Sequence, residues 1–194
     1  MRRMSMPATD QIGFHGKLPG VGDFVQRRLP ASFVQPWDAH FAGCLDTVRQ
    51  QLGERWPGAY RRSGMRAFAL GPGVCGPQAW AGVLGPGEDR VGRCFPLIVA
   101  MPLPHACLPS HAWFGALAAC LGRALRARAD AVGFDTAVRA LAVPATPSTA
   151  HAPAPGQSLW WPPGGPMQAL AGLPAAERYL DWLLADEDIT EVTR

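Results

Sequence analysis

The sequence predicts a single α+β domain: a compact sandwich in which a mainly antiparallel central sheet is flanked by long amphipathic helices. Three observations predict it. Apolar residues recur at helical spacing from Phe33 to Leu52 and again from Trp113 to Leu125. Between these stretches lie three apolar runs, residues 65–70, 80–84 and 95–101, separated by Gly/Pro turns too short for crossover helices, so the strands are expected to be antiparallel. The chain has 194 residues, 48% hydrophobic and 17% charged, which suits one domain with its own core and excludes intrinsic disorder. Its 22 glycines and 20 prolines predict many turns around that core.

Residues 1–10 read as a disordered tail. Residues 11–18 alternate weakly and predict a short edge strand. Gly20-Val21-Gly22-Asp23 is a turn, and Phe24-Val25 opens a further extended piece. Phe33, Trp37, Phe41, Cys44, Leu45, Val48 and Leu52 then form one helical stripe. Its start has two readings: Ser32 and Gln35 form a capping box that leaves Pro36 at the fourth helical position, or Pro36 is itself the first helical residue. Gly53 is the stop. A second helix is predicted from Ser110 as N-cap to Gly133, with Trp113, Leu117, Cys120, Leu121, Ala124 and Leu125 on one face. Residues 143–157 hold four prolines among Ala, Thr and Ser and read as a mobile loop. Residues 158–161 return to an apolar strand, on which Trp160 and Trp161 face opposite ways, so one of them is expected at the surface or an interface. Pro174 opens a last helix with Tyr179, Leu180, Leu183 and Leu184 inward. The domain is thus drawn over residues 11–187, with 188–194 an acidic tail.

The net charge is +3, from 17 Arg, a single Lys and 15 acidic residues, with a pI near 8.8. No stretch concentrates that charge into a nucleic-acid footprint. Residues 49–66 carry five Arg against one Glu, and residues 177–194 carry six acids against two Arg; these read as two solvated faces. The longest apolar run, residues 94–103, is interrupted by two prolines and falls short of the ~20 residues of a membrane helix. No apolar segment follows the basic N-terminus as a signal peptide requires. A cytoplasmic protein without membrane insertion is expected.

The five cysteines form no C-x-x-C pair and their number is odd, so neither a disulfide framework nor a zinc ribbon fits. Gly71-Pro72-Gly73-Val74-Cys75-Gly76 matches G-x-G-x-x-G, yet Pro77 and an apparent strand follow where a dinucleotide site needs a helix. Gly16-Lys17 lacks the P-loop spacing. His105, Cys107 and His111 offer three metal ligands, but a structural zinc site takes a fourth, and a lone Cys107 reads as a small buried hydrophobe. Asp38 and His40 point to different sides of their helix. No cofactor, metal or catalytic activity is expected. Two polar clusters stand out, Asp23 with Arg27 and Arg28, and Glu88 to Arg93. Either they cap turns and pair with one another, worth under about 1 kcal/mol each where exposed, or their guanidinium forks and nearby aromatics form a partner-binding patch.

Several strings carry a resemblance. Gly13-Phe14-His15-Gly16-Lys17-Leu18-Pro19 is followed by Gly22-Asp23-Phe24-Val25, Arg28-Leu29-Pro30, Phe33 and Trp37-Asp38. Leu52-Gly53, Trp56 and Tyr60 come next, then Pro72 to Gly76, Trp80 and Gly82-Val83-Leu84. Asp89-Arg90-Val91-Gly92-Arg93, Phe95-Pro96-Leu97 and Ser158-Leu159-Trp160-Trp161 complete the series. In this order and spacing the chain resembles the TagF family of type VI secretion-associated proteins, densely over residues 12–103 and loosely beyond. It departs where His40 stands in place of the family's usual second Trp and where Gly87-Glu88 replaces Ser-Val. The loop at 143–157 is this chain's own.

The resemblance implies a cytoplasmic, non-enzymatic regulator that represses type VI assembly or firing after translation by binding a forkhead-associated-domain scaffold. The implied fold is similar to longin or profilin-like sheets. Asp23, Arg28, Asp89, Arg90, Arg93 and Trp161 are the candidates for the partner surface, the charged ones alternatively for a structural network. The rivals are a small-ligand or metal-binding domain using the 71–76 turn or the His105/Cys107/His111 group, and a structural subunit of the secretion machine.

Overall fold

The computed structural model describes residues 12–103, 107–143 and 150–192. The predicted tail at 1–10, His105, and residues 144–149 of the predicted loop lie outside the described residues. Along the chain run β1 (Gly13–Lys17), β2 (Phe24–Arg27), α1 (Ala31–Leu52), a 3-10 turn (Gly53–Arg55), α2 (Trp56–Arg62), β3 (Arg66–Leu70), β4 (Trp80–Gly85) and β5 (Leu97–Pro102). They are followed by α3 (His111–Arg126), α4 (Ala131–Arg139), β6 (Gln157–Trp161), β7 (Gln168–Ala171) and α5 (Ala176–Val192). The strands form one sheet in the order β2-β1-β5-β4-β3-β6-β7, and every pairing is antiparallel. The predicted α+β sandwich is the observed fold.

The middle of the sheet is buried on both sides, which is why β3, β4 and β5 read as continuous apolar runs. Alternation along β3 sends Phe68 and Leu70 to one face and Ala67 and Ala69 to the other. On the first face α1, α2 and α5 pack over Trp37, Phe41, Tyr60, Phe68, Trp160 and Tyr179. On the second, α3 and α4 cover Phe14, Leu97, Trp113, Phe114, Phe134 and Trp161.

Several expectations are corrected. β1 is an interior strand, paired to both β2 and β5; the turn after Lys17 folds β2 back as a hairpin and makes β2 the edge. Neither reading of the α1 start holds, because Pro30 is the N-cap, without a side-chain cap bond, and Pro36 lies inside the helix. Pro36 cannot donate to the Ser32 carbonyl, and that carbonyl lies against Gly76, where an added Cβ would sit 2.8 Å from its oxygen. Gly76 also has φ +83°, so this glycine of the apparent nucleotide motif serves close packing against α1. The second helix ends at Arg126, short of Gly133. Arg128 takes a left-handed conformation (φ +50°), and Asp130 caps a separate α4 by accepting the Gly133 N–H at 2.7 Å. Ser110 is the N-cap of α3, as predicted. α2 and β7 were not expected, and α5 extends to Val192, into the stretch expected to be a tail.

The oppositely charged segments are not two separate solvated faces. α5 packs on α1 and α2, and Arg66 Nη2 donates to both carboxylate oxygens of Asp186 at 2.9 Å. The Gly64 N–H adds a third bond to the same carboxylate.

Candidate functional site

The loop between β4 and β5 is organised around one carboxylate. Asp89 is 1% exposed and accepts from Lys17 Nζ at 2.6 Å and Arg93 Nε at 2.7 Å. It also accepts from the backbone N–H groups of Val91 and Arg93 at 3.1 and 2.9 Å. Burial by itself would push this carboxyl up; the bonds from Lys17, Arg93 and the two amides outweigh it and hold the group far below the usual carboxylate range. Gly92, at φ +88°, lets the chain turn back so that the Asp89 N–H reaches the Arg93 carbonyl at 3.0 Å.

A second set of bonds ties this loop to the turn before β2. The Arg90 N–H donates to the Val21 carbonyl at 2.8 Å, and Arg93 Nη2 donates to the Gly22 carbonyl at 2.6 Å. Lys17 Nζ lies 4.6 Å from the centroid of Phe24, a cation–π contact. Phe24 is stacked on His15 and meets Phe95 edge-on. On the other flank Arg61 holds Glu88 through Nε and Nη2 at 2.6 and 3.1 Å, and the Tyr60 hydroxyl donates to the Gly87 carbonyl at 3.0 Å. The side chains left in solvent by this framework are Asp23, Arg90, Val91 (68% exposed), Arg93 and Phe24 (43% exposed). They form one mixed cationic and apolar patch at one end of the sheet.

The structure therefore divides the residues singled out from sequence. Asp23, Arg90 and Arg93 share the patch, with Asp89 beneath it. Asp23, Arg27 and Arg28 do not form one cluster. Phe24 pairs opposite Lys17 and Arg27 opposite Phe14, so Asp23 and Arg28 sit at opposite ends of a strand spanning roughly 13 Å. Arg28 instead donates to the Ile12 carbonyl at 2.8 Å and to Asp135 at 2.6 Å, fastening β1 and β2 to α4. Burial raises the Asp135 carboxyl, but Arg28 and Arg139 lower it further. Trp161 is not exposed. It is 4% accessible and meets Phe114 of α3 edge-on at 4.8 Å, while Trp160 is enclosed in the opposite layer.

Sequence reasoning missed three participants: Lys17, Phe24 and Arg61, the partner of Glu88. Lys17 did leave a signal, being the one lysine in a chain that otherwise uses arginine. His15 was also missed; its Nε2 lies 2.7 Å from Asp38 Oδ1, whereas His40 Nε2 bonds the Pro174 carbonyl. Asp38 and His40 thus have separate partners, as their spacing predicts. Among the described residues no three His, Cys, Asp or Glu side chains gather as metal ligands.

A family model described as the TagF N-terminal domain, type VI secretion system-associated, matches residues 13–141. The chain belongs to the TagF family. It is also similar to PA0076 from Pseudomonas aeruginosa PAO1, whose crystal structure superposes with a TM-score of 0.78 at 34% identity, covering 89% of this chain and 94% of that one. No curated protein sequence matches it. The TagF match runs from β1 through α4 and so contains the whole Asp89 framework and the Arg28–Asp135 tie. Among the described residues of this TagF chain, no helix is long and apolar enough to cross a membrane.

Proposed function

We propose that this TagF protein is a cytoplasmic, non-catalytic regulator that restrains type VI secretion after translation by binding a forkhead-associated-domain scaffold through Asp23, Phe24, Arg90, Val91 and Arg93. The observation that carries the reading is the Asp89 framework. Four hydrogen bonds to one buried carboxylate fix a loop whose tip, Arg90-Val91, faces solvent. A loop fixed in advance loses little conformational entropy when a partner covers it. The patch also combines arginine with an aromatic ring, the pairing that dominates binding hot spots. Asp89 serves as the frame beneath it, whereas Arg28 and Trp161 hold other parts of the fold, α4 and α3.

Arg90→Glu tests this. The side chain is exposed, so the Tm is expected to stay within about 1 °C of the parent, as for surface substitutions away from special features. Affinity for the host's forkhead-associated scaffold, measured by calorimetry with purified proteins, is expected to fall at least roughly 30-fold, the scale of a hot-spot loss. Secretion in a strain carrying the variant should rise toward the level of a deletion. Unchanged affinity at full stability would remove the loop from the interface.

A further inference from the structure

A concave feature lies beside the patch and meets it at Arg93. α1, α2 and residues 92–95 line a cavity of about 410 Å³, within the range of small-molecule sites. Ala42, Leu45, Asp46 and Arg49 line one side, at the i, i+3, i+4, i+7 spacing of a single helix face. Three arginines, Arg49, Arg61 and Arg93, are among its lining residues.

Their states of engagement differ in a way that favours an added anion. Arg61 is clamped by Glu88 through Nε and Nη2, and Arg93 is clamped by Asp89 and the Gly22 carbonyl through Nε and Nη2. These bonds fix the position of each guanidinium, and among the described residues they run through Nε and Nη2, not Nη1. Arg49 makes no side-chain hydrogen bond or ion pair among the described residues. Of the charged residues that line the cavity, three are arginines, Arg49, Arg61 and Arg93, against one carboxylate, Asp46. Burial, Glu88 and Asp89 raise the Cys94 thiol, to about 11 overall, against the opposing pull of Arg61 and Arg49. Planar forks suit the several oxygens of a phosphate group, and Leu45, Trp56 and Phe95 give the cavity an apolar floor.

We propose that this cleft binds a small polyphosphate-bearing ligand, with Arg49, Arg61 and Arg93 holding its anionic oxygens. The site adjoins the scaffold-binding patch and shares Arg93 with it, while Arg49 and Arg61 lie outside the patch and report on the cleft alone.

The test is isothermal titration of the full chain with inorganic tripolyphosphate and, in a second arm, with ATP. One-to-one binding is expected, weakening as salt is raised. Arg49→Ala should keep the parental Tm and lose at least about tenfold in affinity, the value of one charge-assisted contact. Arg139→Ala, on α4, should bind as the parent does. Equal affinity for the two probes assigns recognition to the phosphates alone, and tighter ATP binding adds the apolar floor; either outcome supports the site. Absence of saturable binding, or identical affinities in Arg49→Ala and the parent, overturns it. A second readout uses Cys94 in a Cys107→Ser background, because Cys94 lines the cavity and the other three cysteines are buried. Tripolyphosphate should slow its alkylation by N-ethylmaleimide at least about threefold if it occupies this cleft, and an unchanged rate places any binding elsewhere. Loss of binding in Arg49→Ala with scaffold affinity intact, or the reverse in Arg90→Glu, keeps the two proposals distinguishable.

Discussion

Asp89→Ala is expected to destabilise the protein by about 3–5 kcal/mol, the cost of removing one partner from a buried ion pair. The substitution leaves the Lys17 ammonium buried without its anion and two backbone amides without their acceptor. For a chain of this size that corresponds to a Tm lower by roughly 6–20 °C, measurable by circular dichroism. The same carboxylate sets an acid dependence. Its folded pKa is depressed, so its contribution is fully present above the unfolded value of about 4 and is lost as the pH falls below it. Asp135 contributes with the same sign. The parent Tm should therefore drop steeply from about pH 4 downward, and the Asp89→Ala curve should be flatter over that interval. A Tm within about 2 °C of the parent at pH 7 would mean that Lys17 is resolvated and that the loop holds without its carboxylate.

That framework could be read from the sequence only in part. Asp89 to Arg93 is local, and its residues stood out as a polar turn before an apolar strand. Lys17 is 72 residues from Asp89, and Asp135 is 107 residues from Arg28; no periodicity links such partners. The same distance explains why the sequence of β1 reads as an edge. Gly-Phe-His-Gly-Lys looks half polar, yet His15 and Lys17 are buried because Asp38 and Asp89 are brought to them. The long helical stripe and three central strands were legible, since each carries its burial pattern within itself. α2 is a seven-residue helix with two terminal arginines, too short for a pattern, and β7 is mostly exposed. The α3–α4 break falls in an Ala/Arg segment with good helix propensity, where only Asp130 marks a new start. Opposite facing of Trp160 and Trp161 was read correctly. Their burial was not, because exposure on a strand depends on whether both faces of its sheet are covered.

Covering both faces makes the two tryptophans a test of frame against interface. Trp160 packs on Trp37, Phe68 and Trp182, and its indole N–H donates to Ser158 Oγ at 2.8 Å. Trp160→Ala is expected to cost about 3–5 kcal/mol, again a Tm loss of roughly 6–20 °C. Trp160→Phe keeps most of the ring packing and should lose less. Trp161→Ala is expected to be destabilising on the same grounds, since its ring is covered by α3 and touches Phe114. In calorimetric titrations the fraction of Trp161→Ala that remains folded should bind the scaffold with parental affinity, because the patch lies on the Asp89 loop at another part of the sheet. Retention of the parental Tm with loss of scaffold binding would reverse that assignment. It would place the α3 side of β6 in the interface and leave the Arg90-Val91 tip to be judged by its own variant.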